Sequence, residues 1–178
     1  MRTLILTTII LLSSLSSLAK GKPLYGPVID NYGPYFKIEN RDVEVVKTQN
    51  FKVVFDVKNT DSNKANHNRY IESVARYMNM HAANGVAVEN MEIAVVLHGA
   101  STKDTLSDKA YKDRHGVDNP NSELIKALNK KGVKFYLCGQ STSFSDIDKK
   151  ELMPEVSLAL SAMTMLITLQ QDGYALLP

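Results

Sequence analysis

The stretch Ile93-Ala94-Val95-Val96-Leu97-His98-Gly99 decides the fold. It begins with five consecutive apolar residues and closes on His98-Gly99. A short run in which every residue is apolar is typical of a parallel strand that is covered on both faces of the sheet. We therefore predict that residues 93–97 form a central strand of a parallel sheet.

Strands and helices alternate on both sides of this stretch. Upstream, Phe51–Val57 is a β-rich run, and an amphipathic helix follows that should end near Asn84-Gly85. Downstream we predict a short helix around 103–114, a helix from Asn119-Pro120 to Gly132, a strand at 133–137, a strand at 156–160, a helix at 162–172 capped by Ser161, and a last strand at 174–177. This alternation predicts an α/β fold: an open, mostly parallel five-stranded sheet with helices on both faces.

The first residues have the form of an export signal. Met1-Arg2 is a short positive start, residues 4–12 are almost entirely apolar, and Ser17-Leu18-Ala19 has the pattern of a cleavage site. We predict a signal peptide at 1–19 and a periplasmic or secreted protein. The alternative is an uncleaved anchor, but the apolar stretch is too short to span a bilayer comfortably, so no stable membrane span is expected after cleavage.

Residues 20–49 are predicted to form an irregular N-terminal arm, because glycine and proline recur along them. The arm also carries several aromatic residues. It could pack across its own domain or reach a neighbouring subunit, and the sequence leaves both open. A single α/β domain is predicted over 50–178.

The composition limits the classes of function. The formal net charge is +2 and the basic residues form no cluster, so no nucleic-acid partner is expected. His67, His81 and His115 show no metal-ligand spacing with each other or with the cysteine. The sequence has no P-loop, no G-x-G-x-x-G and no G-x-S-x-G. We therefore predict no metal site and no cofactor.

Cys138 is the single cysteine in the chain, so no intramolecular disulfide can form. In an oxidising compartment such a thiol is buried, paired with another chain, or reactive. Its predicted place at the open end of a strand would let N–H groups of the next turn, or a helix starting at Ser141, favour the thiolate. Gly139 would let another group approach closely. The alternative is a buried cysteine that packs as a small hydrophobe.

The predicted site lies where ligands bind in open α/β sheets, outside the carboxyl ends of the strands. Asp56, His98-Gly99 and Cys138-Gly139 all fall at such ends. His98 could steady a thiolate or bind an anion, or its side chain could hydrogen-bond backbone at the strand end. Asp56, Asp146 and Asp148 could serve as acid or base, but isolated aspartates near loops are more often caps and turn formers.

The last predicted helix is apolar nearly all round, with Met163, Met165, Leu166, Ile167 and Leu169. Such a helix is buried, either in the domain core or in a subunit contact. We expect an oligomer interface or a deep core position.

Several stretches together resemble the DsrE/DsrF-like family of sulfur-relay proteins. They are residues 52–57, 93–99 (IAVVLHG), 132–141 (GVKFYLCGQS) and 158–177 (LALSAMTMLITLQQDGYALL), with 111–128 also fitting. The resemblance implies a parallel-sheet α/β fold and homo-oligomers, either trimers or hexamers. In sulfur-relay members a cysteine accepts sulfur as a persulfide and passes it to a partner. Cys138 is similar to that cysteine, and His98, Gly99, Gly139, Gln140 and Ser141 would line its site.

Two functions remain open. The first is an exported persulfide carrier or thiol-dependent sulfurtransferase that works through Cys138 with a sulfur donor or acceptor protein. The second is a non-enzymatic, oligomeric module that binds a small ligand or a partner and uses Cys138 structurally. The export signal departs from the cytoplasmic relay members of the family. An accessible Cys138 of low pKa favours the first function, and a sulfur packed in the core favours the second.

Overall fold

A computed structural model describes residues 21–178, and the predicted signal peptide lies outside the described residues. The strands are β1 (Phe51–Val57), β2 (Met91–Leu97), β3 (Lys134–Cys138), β4 (Val156–Ala159) and β5 (Ala175–Leu177). They form one open sheet in the order β4-β3-β2-β1-β5, and every neighbouring pair is parallel. The predicted fold class is confirmed.

Five α-helices connect the strands: α1 (Arg69–Ala83), α2 (Asp108–His115), α3 (Ser122–Asn129), α4 (Gly139–Phe144) and α5 (Ala162–Gln171). Short 3-10 helices cover Val88–Asn90, Gly99–Thr105 and Lys149–Glu151. Two predicted helix starts were wrong. The helix predicted to begin at Asn119-Pro120 is α3, which begins only at Ser122, because the Asn119 side chain accepts the Asn121 N–H in a turn. The other was wrong because α4 follows β3 directly and begins at Gly139 instead of Ser141.

The larger core lies on the sheet face that α1 and α3 cover. Because side chains alternate along a strand, one set of strand residues points to this face and packs against the apolar sides of both helices. Its fully buried members include Ile71, Val74, Met78, Leu97, Leu124, Ile125, Leu128 and Leu137. The central strand β2 is buried along almost its whole length, as a parallel strand between two covered faces should be.

The second face of the sheet is covered by α5. This helix connects β4 at one edge with β5 at the other, and therefore crosses the sheet and contacts β1, β2 and β3. The smaller core between them consists of Val54, Ala94, Val96 and Cys138 from the strands, with Ala162, Leu169 and Tyr174. The expected deep core position of α5 was wrong in part, because Met163 and Ile167 face outward and are 73% and 56% exposed.

The N-terminal arm packs on α1 of its own domain. The side chain of Asn79, fully buried on α1, accepts hydrogen bonds from the N–H groups of Val28 and Ile29 at 3.1 and 2.9 Å. Its amide group donates to the carbonyls of Ile29, Tyr32 and Gly33. Gly33 presses against the helix backbone so closely that a Cβ there would lie 2.2 Å from the Arg76 nitrogen. Of the two placements that the sequence left open, the structure has the arm across its own domain.

A buried polar network fastens the loops at the carboxyl edge of the sheet. Asp104 is fully buried and accepts a hydrogen bond from the Asn68 side chain at 2.8 Å, and Lys103 forms an ion pair with it. Asn121 accepts the Asn68 N–H. The network therefore fixes the segments that follow β1 and β2. Within residues 21–178, no helix combines the length and the apolar character that a membrane crossing requires.

Candidate functional site

Asp56, His98 and Cys138 lie on the same face of the sheet, the one that α5 covers. Val54, Val96 and Cys138 all point into the smaller core. Residues two apart along a strand share a face, so Asp56 and His98 share it as well. His98 continues extended one residue beyond the Leu97–Leu137 pair, which places it beside Cys138 on the neighbouring strand.

His98 and Asp56 form a close pair. The His98 Nε2 atom lies 2.8 Å from Oδ1 of Asp56, and both side chains are 27% exposed. The backbone N–H of His98 donates to the Val57 carbonyl at 3.1 Å, which ties the residue to β1. The Asp56 carboxylate thus holds one ring nitrogen of His98 and fixes the orientation of the imidazole at the carboxyl edge of the sheet.

Ser141 connects the ends of β2 and β3. Its Oγ accepts a hydrogen bond from the Gly99 N–H at 3.1 Å. Gly99 has a φ of 57°, in the left-handed region that favours glycine, where β2 turns into the following 3-10 helix. A serine hydroxyl that accepts one hydrogen bond still has its own proton to donate, and hydrogen bonding by Ser141 lowers the pKa of Cys138.

The Cys138 side chain lies where two helices begin. It immediately precedes α4, and the N-terminus of α5 packs against it across the smaller core. The residue is only 5% exposed. Cys138 is the N-cap residue of α4, and its side chain makes no regular capping hydrogen bond to that helix.

These surroundings set the acidity of the thiol. Burial is the largest single effect and raises the pKa of Cys138. The Ser141 hydroxyl and the backbone N–H groups of Ala162, Ser141 and Gln140 act in the opposite direction. Together they outweigh burial, so the pKa of Cys138 lies below its ordinary value. A thiolate is therefore favoured at this position relative to a free cysteine.

Gly139 and Gln140 hold the loop between β4 and α5 against the cysteine. A Cβ at Gly139 would lie 2.7 Å from the Ala159 carbonyl oxygen, so only glycine permits this approach. The Gln140 side chain donates to the Leu160 carbonyl at 3.3 Å. These two contacts place the first N–H groups of α5 near the sulfur. A loop this close to Gly139 explains why glycine follows the cysteine.

The structure gathers the residues that the sequence singled out: Gly99, Gly139, Gln140 and Ser141 all lie within this edge, with His98 beside Cys138. Asp56 also belongs to it, as the partner of His98, although the sequence favoured a role as a cap or turn former. A signal existed, since Asp56 lies one residue before the end of β1 and His98 directly follows β2. The contribution of Ala162 depends on a contact between distant segments and had no sequence signal.

The other residues considered from the sequence lie apart. The carboxylate of Asp148 caps the 3-10 helix Lys149–Glu151, and Asp146 has a φ of 50° in the preceding turn. His81 packs on Tyr77. Among the residues that the structure describes, no group of three or more histidine, cysteine or acidic side chains is arranged to hold a metal ion.

A family model described as the DsrE/DsrF-like family matches residues 52–178. The chain belongs to this family. A solved structure with a similar fold is a protein of unknown function, MTH1491 from Methanobacterium thermoautotrophicum. It is 20% identical to this DsrE/DsrF-like protein, with a TM-score of 0.55, and the match covers 71% of this chain and 97% of that chain. No curated protein matches the sequence. The N-terminal arm lies outside the family match.

Proposed function

We propose that this DsrE/DsrF-like protein is exported and handles sulfur, with Cys138 accepting a sulfur atom as a persulfide and passing it on. The observation that carries this proposal is the position of the thiol between the beginnings of α4 and α5, where the Ser141 hydroxyl and three N–H groups favour its anionic form. The thiolate is the nucleophilic form of cysteine, and a persulfide anion formed there would meet the same donors.

The low exposure of Cys138 is not the accessibility that favours sulfur handling, but it would protect the sulfur of a carrier outside the cytoplasm. Exposed thiolates in an oxidising compartment proceed along the oxidation series to forms that cannot be restored. A side chain that is 5% exposed is shielded from bulk oxidants. We therefore expect sulfur to reach Cys138 from a donor that docks at the carboxyl edge of the sheet.

Export follows in this proposal from the predicted signal peptide at residues 1–19, which gives a periplasmic or secreted protein. Cleavage after Ala19 would leave a chain that begins at Lys20. N-terminal sequencing of the protein recovered from the periplasm or the medium tests this. A protein that stays in the cytoplasm with Met1 in place would refute the proposal of export.

Self-association is the second part of the proposal. The outer side of α5 and the residues near it expose large apolar side chains: Met163, Ile167, Leu160 and Phe144. Exposed apolar patches of this kind mark interaction sites more often than free surface. We propose that they form contacts between copies of this chain in a trimer or hexamer. A sulfur donor or acceptor protein would be a further partner.

One observation favours the alternative function. Cys138 shares its core with Val54, Ala94 and Val96, which is the environment of a cysteine that packs as a small hydrophobe. In that alternative the protein is an oligomeric module that binds a small ligand or a partner, and the thiol takes no part in chemistry.

Persulfide loading distinguishes the two functions. The purified, reduced protein is incubated with a small persulfide donor, and its intact mass is measured before and after treatment with a reductant. We expect a reversible gain of one sulfur atom in the wild type and no gain in Cys138→Ser. A wild-type protein that gains no sulfur while folded would leave the binding module as the better account.

A further inference from the structure

Three titratable side chains stand in a row across neighbouring strands. Asp56 belongs to β1, His98 follows β2 and Cys138 ends β3, and all three lie on one face at the carboxyl edge. Adjacent strands are about 4.8 Å apart, which is within the reach of an imidazole ring. The order is carboxylate, imidazole, thiol, with the first two already 2.8 Å apart. In nucleophilic catalysis, groups in this order act as the group that orients the base, the base and the nucleophile.

We propose that His98 moves the proton during sulfur transfer at Cys138, and that Asp56 is the residue that positions it. This role rests on the proposed function of Cys138 and adds the groups that carry the proton. Asp56 holds Nε2 of the ring, and the register of β2 and β3 places His98 beside Cys138. In the proposed step the ring exchanges a proton with the sulfur through Nδ1. The same carboxylate stabilises the imidazolium once the ring has taken the proton.

The transfer step balances with a persulfide donor, R–S–SH. His98 first takes the proton of the Cys138 thiol, which gives a thiolate and an imidazolium. The thiolate attacks the terminal sulfur of the donor. One sulfur–sulfur bond forms at Cys138 while the bond within the donor breaks, and the donor leaves as R–S⁻. The imidazolium gives its proton to this leaving thiolate, so the products are the Cys138 persulfide, R–SH and neutral His98.

Few other groups near the cysteine could supply this proton. The neighbouring elements α4, β4 and α5 carry no titratable side chain. On the same face, Tyr136 lies two residues before Cys138, and Lys58 follows β1 beside Gly99. Lysine and tyrosine ordinarily lose their protons near pH 10, whereas histidine exchanges its proton near neutrality. His98 is therefore the group suited to give and take a proton here.

The test compares two electrophiles with different leaving groups. Glutathione persulfide releases an alkyl thiolate, which benefits from a proton. Dithiobis(nitrobenzoate) releases an aromatic thiolate that is stable without one. The reaction rates of Cys138 with both are measured at the same pH in the wild type, His98→Gln and Asp56→Asn, with Cys138→Ser as the blank. A change in the thiolate fraction alters both rates equally and cancels in their ratio.

We expect His98→Gln to lower the ratio of the persulfide rate to the aromatic disulfide rate by about 100-fold, the usual contribution of a general acid. Asp56→Asn should lower the same ratio to a smaller extent. An unchanged ratio in His98→Gln, in a protein whose Cys138 reacts, would overturn the role of His98 and leave the proposed function intact. A folded wild type that is inert to both electrophiles would overturn the proposed function, and this role with it.

Discussion

Removal of the Ser141 hydroxyl should slow the reaction of Cys138. In the structure this hydroxyl accepts the Gly99 N–H at 3.1 Å, and its hydrogen bonding lowers the pKa of Cys138. Burial raises the pKa of Cys138, and among the groups that lower it the Ser141 hydroxyl has the largest effect. Ser141→Ala removes this donor while leaving the backbone N–H groups in place, so the pKa of Cys138 should rise.

The size of the effect follows from the strength of one hydrogen bond to a charged group, about 1.5–3 kcal/mol. Such a loss lowers the acid dissociation constant by about 10- to 150-fold. Below the pKa the thiolate fraction falls by the same factor, but each remaining thiolate becomes more nucleophilic, with a Brønsted coefficient of about 0.4–0.5. The net rate of alkylation should therefore fall about three- to twentyfold.

The assay is the pH dependence of iodoacetamide alkylation in the wild type and Ser141→Ala. Ser143→Ala is the matched control, because Ser143 lies on the same helix and its hydroxyl bonds the Gly139 carbonyl at 3.0 Å. We expect the rate profile of Ser141→Ala to move to higher pH and that of Ser143→Ala to stay. If both variants keep the wild-type profile, the hydroxyl does not act on the sulfur and the account of its acidity is wrong.

Three further substitutions test the surroundings of the site. Gly139→Ala should destabilise the protein by about 1–3 kcal/mol in urea unfolding, because its Cβ would meet a carbonyl oxygen at 2.7 Å. Asn79→Ala should release the N-terminal arm, since one side chain makes its buried hydrogen bonds, and limited proteolysis should then cut within residues 21–36. Replacing Met163 and Ile167 together with glutamine should dissociate the proposed oligomer in light scattering, with a change in stability below about 0.5 kcal/mol for each exposed side chain.

Two of these predictions have a matched control variant. Asn129→Ala removes an amide with one bond, to the Val133 carbonyl, and should leave the arm resistant to protease. Val43→Gln changes an 80% exposed residue of the arm and should leave assembly unchanged. Full stability of Gly139→Ala, a protected arm in Asn79→Ala, or an oligomer that survives both α5 substitutions would contradict the corresponding prediction.

The sheet could be predicted from local patterns. The apolar run at 93–97 needed no distant information, because a strand covered on both faces must be apolar on both sides. The helix ending at Asn84 and the capping of α5 by Ser161 were likewise local, and the structure has both. The start of α3 was missed because the side chain of Asn119 closes a turn on Asn121, which the Asn-Pro pattern does not reveal.

The site could be predicted only in part. The convergence of strand ends at one edge of the sheet followed from the parallel fold. Pairing of Asp56 with His98 required the register of β1 and β2, and the effect of Ala162 on the sulfur required the path of α5 back across the sheet. The outward direction of Met163 and Ile167 was hidden, because a helix apolar all round does not reveal which side the domain covers.

Cys138 decides between the two functions, and its reactivity in the folded protein is the most direct measurement. The alkylation rate of the purified, reduced protein is followed across pH, natively and in denaturant, with Cys138→Ser as the blank. We expect rapid native alkylation with an apparent pKa below that of the same thiol in the unfolded chain. A thiol that reacts only after unfolding would contradict the proposal of sulfur transfer.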